Sequence, residues 1–352
     1  MTATASYAHL VGSVPLADTE SVFRAVCTEL GPHLRRIPDG ETGERLRWTE
    51  FQRDMLRNHP DMEIDPDIDV RSLNQAERVM LGMRPWLRLK PSADPDALRF
   101  PTGYADVAVA SYAEYSRLQD EGVIPAATRF LVALPTPLAP AYQFVSPASR
   151  DAFMPAYERA LLEALDGICG AIPHERLSIQ WDICLEVMLF AGYFSQRPDD
   201  YKAPVFDMLA RLGDRVPEAV EMGYHICYGM PPGAPFANPE DMGQMVELSN
   251  GAIERLARRL DFIHIPAAND RDAGVFFQPL RDLALPEGTE LIIGLIHPDD
   301  ADGDAERIAA ARRCAPVFSV ATECGWGRGD PAQVPGLLAS HRRAVEMLNR
   351  RD

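Results

Sequence analysis

Eight short runs rich in Val, Ile and Leu alternate along this chain with longer segments of helical period, the order left by parallel strands joined through crossover helices. The first four predicted strand and helix pairs are His9–Gly12 with Thr19–Leu30, Leu34–Pro38 with Glu44–His59, Phe130–Leu134 with Arg150–Ala171, and Leu177–Asp182 with Ala203–Leu212. The next four are Ala219–Cys227 with Asp241–Arg259, Asp261–Ile265 with Phe277–Leu283, Leu291–Gly294 with Asp304–Arg313, and Pro316–Thr322 with Val334–Leu348. A doubly wound open sheet would use fewer units and would carry a glycine-rich phosphate fingerprint after its first strand. Here that place holds Gly12-Ser13-Val14-Pro15, which is only a turn signal. Eight units in 352 residues predict an α/β fold, a (β/α)8 TIM barrel, as a single domain over 1–352. An irregular insertion at about 60–106, between the second and third strand-helix units, is marked by Pro60, Pro66, Pro85, Pro91, Pro95 and Pro101 and leads into a helix near Val107–Gln119.

A barrel gathers the C-terminal ends of its strands on one face and places its chemistry there. The unusual polar residues fall at those ends: Ser13, Asp39 and Glu41, Asp182, His225 and Cys227, His264, His297 and Cys324. Acidic residues exceed basic ones by 52 to 35, a balance that repels nucleic-acid phosphates and anionic membrane surfaces and points to a small-molecule substrate. No apolar run approaches the roughly 20 residues of a membrane helix. Six scattered cysteines and an N-terminus without signal-peptide character lead us to expect a cytoplasmic protein with reduced thiols.

His225 and Cys227 stand two apart at the end of an apolar strand, so imidazole and thiol point to the same side. Alone, the pair reads as a hydrogen-bonded strand histidine beside an apolar filler. Cys324, in the glycine-rich turn Cys324-Gly325-Trp326-Gly327 after the last strand, favours a metal reading, because all three donors suit zinc with one coordination position open. Glu41 lies in Asp39-Gly40-Glu41-Thr42-Gly43-Glu44-Arg45, where a carboxylate serves as a helix cap, as a solvated charge or as the partner of a substrate ammonium. Asp182 is a sudden charge closing the apolar run Leu177-Ser178-Ile179-Gln180-Trp181-Asp182, and it needs an arginine or a substrate amine. His297 has a pKa range suited to proton transfer, and Arg328 either holds an anionic group or pairs with Glu323. Cys27, Cys169 and Cys314 read as core, whereas Cys184 lies beside Asp182.

The ordered series Gly12-Ser13-Val14-Pro15, Asp39-Gly40-Glu41, Ile179-Gln180-Trp181-Asp182, His225-Ile226-Cys227-Tyr228, Ile296-His297-Pro298 and Cys324-Gly325 resembles the catalytic barrel of cobalamin-independent methionine synthase, in its single-barrel branch. That resemblance implies Zn2+ held by His225, Cys227 and Cys324, an amino-acid thiol gripped by Glu41 and Asp182, a substrate-contacting turn at Ser13, and His297 as the catalytic histidine. It implies a thiolate attacking a methyl or alkyl donor, with folate as the donor of the family. The family's zinc-bound glutamate is replaced near Pro266, which leaves His264 or water as fourth ligand, and Asp182-Ile183-Cys184 keeps only the first carboxylate of the family's Asp-Glu-Pro. The segment Leu134–Leu138 also differs, with Tyr142 and Phe144 as candidate platforms for the donor, and Phe100, Tyr104, Trp181 and Trp326 as further aromatic candidates for the pocket. Rival readings are thiol addition to an epoxide, carbon–sulfur bond cleavage, a non-catalytic thiol or metal carrier, and a metal-free tetrapyrrole decarboxylase type of barrel. The partners expected are a small thiol and an alkyl donor, with no nucleic acid and no membrane. A homo-oligomer stays open.

Overall fold

From Leu34 onward, every apolar run read above as a strand becomes one. The computed structural model describes residues 5–74, 77–78, 81–82, 84–229, 239–268, 271 and 273–350. Nine strands lie among them: β1 (Arg36–Pro38), β2 (Met62–Ile64), β3 (Leu87–Leu89), β4 (Arg129–Pro135), β5 (Leu177–Ile183), β6 (Glu221–Ile226), β7 (Phe262–Pro266), β8 (Glu290–Ile296) and β9 (Ser319–Thr322). Seven of these form one curled, all-parallel sheet in the order β1-β4-β5-β6-β7-β8-β9, and β2 pairs antiparallel with β3 in a separate ribbon. The continuous apolar character of the strands follows from burial on both faces, and every residue of β5 and β7 is buried.

Side-chain alternation separates the two faces. Phe130, Val132, Ile179, Trp181, Met222, Tyr224, Ile263, Ile265, Ile293 and Val320 join the large core covered by helices. Leu131, Phe262, Ile292 and Ala321 form a small cluster on the inner face, and it is this inner face that also carries Gln180, Asp182, His225 and His264. At the N-terminal ends of the strands, the buried Arg36 guanidinium donates to Glu290 (2.9 Å) and Glu221 (3.3 Å) and lies 4.1 Å over the Phe262 ring. The polar residues of chemical interest are therefore at the opposite end from this structural ion cluster.

The first predicted strand is the one that contracts. Only Ala8 makes ladder contacts, as parallel bridges to Leu34 on one side and Val320 on the other. The Ala8 N–H donates to His33 (2.8 Å), His9 N–H to Val320 (2.8 Å) and Val320 N–H to Tyr7 (2.9 Å). Beyond His9 the chain leaves the ladder, because Val14 N–H turns to the Gly40 carbonyl and the Ser13 carbonyl takes the Trp326 N–H.

The helices follow their predicted periods, and the one at Thr19–Leu30 starts where Asp18 accepts the Ser21 N–H at 2.8 Å. Two of them change: Glu44–His59 divides into the 3-10 turn Gly43–Arg47 and the helix Glu50–Arg57, and Phe277–Leu283 forms the 3-10 turn Gln278–Asp282 after the short helix Ala273–Phe276. The helix Glu50–Arg57 does not cross over to β4; it packs on β2, on the helix Leu138–Phe144 and on the preceding 3-10 turn Gly43–Arg47. The outer-layer place beside β4 is taken by the helix Tyr104–Asp120, lodged between Thr19–Leu30 and Pro147–Ala171. An amphipathic period reports that a helix has a buried stripe, and both helices have one. No helix among the described residues is long and apolar enough to cross a membrane.

Candidate functional site

Strand β6 ends in the inward-facing His225, and one more alternation places Cys227 on the same side. The Cys227 N–H is held by the Ile183 carbonyl of β5 at 2.8 Å. After β9 the chain turns sharply, and this turn brings Cys324 to within 3.6 Å of Cys227, sulfur to sulfur. One donor atom each of His225, Cys227 and Cys324 lies within 4.8 Å of the others. The turn is tied down on several sides. The Thr322 hydroxyl donates to the Cys324 carbonyl and accepts the Trp326 indole N–H, both at 2.7 Å, while Ser13 Oγ accepts the Gly327 N–H at 3.1 Å. A side chain at Gly325 would collide with Ser13 Oγ, so glycine there permits the close approach of the two loops.

These donors open onto a cavity of about 600 Å3 whose wall includes Ser13, Glu41, Asp182 and Cys184. Without a cation the trio is neutral. Burial drives His225 well below the ordinary imidazole range, with His264 and His9 adding to the effect. The Cys227 thiol is held well above its usual value, first by the neighbouring Cys184, and Cys324 first by Cys227 and then by burial. A metal entering here must displace thiol protons.

Two carboxylates share this cavity, and Asp182 is the register neighbour of His225 across β5 and β6. Asp182 accepts from the Trp48 indole N–H (3.0 Å) and the Gln180 amide (2.9 Å), and burial still pushes it up to about 8. Gln180 is itself fixed, donating also to the Val11 carbonyl at 2.7 Å while its oxygen faces His9 Nε2 at 3.0 Å. The Glu41 carboxyl is so close to Gly12 that a Cβ there would meet it at 3.1 Å. Desolvation raises Glu41 well above the carboxylate range, with the Asp182 charge adding to the effect. Its backbone adopts φ 45°, a left-handed conformation uncommon for a side chain of this size, which turns the carboxyl toward the cavity instead of out along the loop. Two desolvated acids face one space, where the approach of a cation would favour their ionised forms. Asp39, by contrast, is spent on structure, accepting from Arg45 and Ser111 (2.6 Å each) and from the Glu41 N–H.

His264, His297 and the predicted aromatic residues lie apart from the cavity wall. His264 is fully buried, its Nδ1 2.6 Å from His225 Nδ1 and its Nε2 3.0 Å from the Thr322 carbonyl. His297 donates through Nε2 to the Ala267 carbonyl (2.9 Å), and its Nδ1 is 3.6 Å from the Glu323 carboxylate, which also receives the Tyr228 hydroxyl. Phe100, Tyr104, Tyr142, Phe144, Trp181 and Trp326 are all buried and none lines this cavity. Arg328 does line it. Sequence reasoning missed Trp48, Arg47 and Arg84, which also line the cavity. Trp48 follows a 3-10 turn at φ 58°, and nothing in its neighbourhood distinguishes it from a packing tryptophan.

No protein-family model matches this chain, and no curated protein matches it. Solved structures do resemble it. A Listeria monocytogenes protein provisionally described as a vitamin B12-independent methionine synthase superposes with a TM-score of 0.58 at 15% identity, covering 99% of each chain. A B12-independent methionine synthase from Shewanella sp. W3-18-1, in complex with selenomethionine, gives a TM-score of 0.59 at 14% identity over 98% of each chain. At such identity the likeness shows a shared fold, and this chain carries the fold of methionine synthase-like structures.

Proposed function

We propose that this protein is a zinc-dependent alkyltransferase acting on a thiol, built on a (β/α)8 barrel whose first strand is reduced to the bridge at Ala8. In this reading the chain is one domain over 1–352, and about 60–106 is an excursion between β1 and the helix Tyr104–Asp120. The observation that carries the proposal is the 3.6 Å separation of Cys227 and Cys324 sulfur. Zinc–sulfur bonds of about 2.3 Å in tetrahedral geometry put two thiolates ~3.8 Å apart, whereas a disulfide needs about 2.05 Å. With His225 on the third side, the donor set fits zinc and leaves a position for substrate.

Bound there, zinc would lower the pKa of a substrate thiol so that it reacts as a thiolate at neutral pH. The chain's own residues do the rest. Asp182, aimed by Trp48 and Gln180, and Glu41 hold the ammonium group of an amino-acid thiol such as homocysteine, which fixes the sulfur near the trio. Ser13 keeps the Cys324 turn against the cavity while lining it. The sulfur forms a bond to the alkyl carbon, and the bond from that carbon to the donor breaks with its electron pair leaving on the donor. That leaving atom then takes a proton. His297 is buried behind Glu323, so we assign it to holding Glu323 beside Cys324 instead of direct contact with the donor.

Arg47 and Arg328, which line the cavity, fit a donor that carries negative charge, as a folate does, whereas Arg84 there is paired with Glu50. Tyr142 and Phe144 are buried away from the cavity, so a flat donor would rest on Trp48. Reduced thiols suit a cytoplasmic setting. The test is metal analysis of protein purified without added zinc, followed by alkylation assays with homocysteine. About one zinc per chain is expected, lost in Cys324→Ser together with turnover. Wild-type protein that takes up no zinc after reconstitution would overturn the proposal.

A further inference from the structure

We infer that His264 is a positioning residue that dictates which nitrogen of His225 is free to bind a metal, and that it couples His225 to the turn carrying Cys324. The metal part of this inference rests on the reading above. Strands β6 and β7 pair His225 directly with His264 across the sheet, and both rings sit on the inner face, tilted by 39° with centroids 4.7 Å apart. His264 Nε2 is 3.0 Å from the Thr322 carbonyl, and a carbonyl only accepts, so Nε2 carries the proton. The ring is fully buried, which disfavours a second proton and so leaves Nδ1 as a lone pair. His225 Nδ1 lies 2.6 Å from that lone pair and must therefore donate to it. A neutral His225 protonated at Nδ1 has its lone pair on Nε2.

The backbone opposite makes room for this arrangement. A Cβ at Gly294 of β8 would stand 2.6 Å from His264 Nε2 and 2.6 Å from the Thr322 oxygen, so any side chain there would push between donor and acceptor. Thr322 in turn grips the Cys324 carbonyl through its hydroxyl. Imidazole, imidazole, carbonyl and hydroxyl thus form one chain from the nitrogen donor to the loop of a sulfur donor. Ligand histidines generally owe their orientation to such a partner, and losing it weakens metal binding by roughly 10–100-fold.

The experiment is a long-range 1H–15N correlation spectrum of the metal-free, full-length protein labelled at histidine, with His225 and His264 assigned from substitutions. The expected result is His225 protonated on Nδ1 and His264 protonated on Nε2. Zinc affinity by chelator competition is measured in parallel. His264→Leu is expected to bind zinc roughly 10–100-fold more weakly. His264→Gln, whose amide can donate to Thr322 and accept from His225, is expected to recover most of that loss. A His225 protonated on Nε2, or a His264→Leu variant that binds zinc as tightly as wild type, would overturn the inference. Should His264→Leu fail to fold, the wild-type spectrum decides by itself. A protein with the expected protonation pattern that holds no zinc would sink the proposed function and leave the proton arrangement standing.

Discussion

Asp182 and Glu186, together with Glu41, are buried acids through which the ligand-free protein responds to pH. Burial raises Asp182 to about 8 and Glu186 to about 7, the latter hydrogen-bonded by Thr136 at 2.5 Å. A carboxyl raised on folding binds its proton more tightly in the folded state, so the stability it contributes is present at low pH and lost as pH climbs through the folded value. Below about pH 6.5 the buried neutral histidines His9, His225, His264 and His341 work in the opposite direction, so the acids' effect is exposed higher up, and urea midpoints are expected to fall from about pH 7 to pH 8. Asp182→Asn should flatten the upper part of that decline, and an unchanged slope would remove Asp182 as its source. Trp48→Phe deletes the indole donor to Asp182 and is expected to weaken binding of an amino-acid thiol by roughly tenfold, as measured by calorimetry, without lowering zinc content. At this scale the sequence was half readable. His225, Cys227 and Cys324 announce themselves as soft donors at strand ends. Trp48 does not, because an indole beside a carboxylate is a matter of loop path, and a left-handed backbone at a tryptophan has no sequence signature.

Strands and helices were legible where burial is two-sided or periodic, as in β5 and the helix Val334–Asn349. They were illegible where identity depends on the neighbour. His9–Gly12 is apolar enough for a strand, yet the Val11 carbonyl is taken by the Gln180 side chain, Ser13 and Val14 bond to loops, and only Ala8 keeps the ladder. The helix Glu50–Arg57 has a buried stripe that meets the cavity-side elements instead of the outer layer. The same logic of neighbours gives Gly294 its importance, since the inner face of β8 must stay bare beside His264. Gly294→Ala is expected to cost about 1–3 kcal/mol through overpacking and to reduce zinc retention at the same time. Thermal melting and metal content check both, and a variant that is fully stable and zinc-replete would contradict the packing described for β7, β8 and β9.

Across the whole molecule, the two ends of the parallel sheet are specialised. The N-terminal end is closed by Arg36, which joins β1 to β6 and β8 through Glu221 and Glu290, and the C-terminal end opens onto the cavity. Arg36→Met removes the guanidinium shared by Glu221 and Glu290, which keep Arg129 and Arg35 as partners, so a loss of about 1–3 kcal/mol in denaturant unfolding is expected, with the donor trio otherwise intact. The alternation of strand and helix periods made the α/β class and the seven-stranded parallel sheet legible from sequence, because each unit is a local pattern. The convergence of Cys324 on Cys227 across almost a hundred positions was not a local pattern, and it was reached only through the resemblance of ordered motifs. That convergence is the central claim, and X-ray absorption at the zinc edge of the reconstituted protein tests it most directly. Two sulfur scatterers at about 2.3 Å with nitrogen or oxygen at about 2.0 Å are expected, falling to one sulfur in Cys324→Ser. A shell of nitrogen and oxygen alone, unchanged by that substitution, would contradict it.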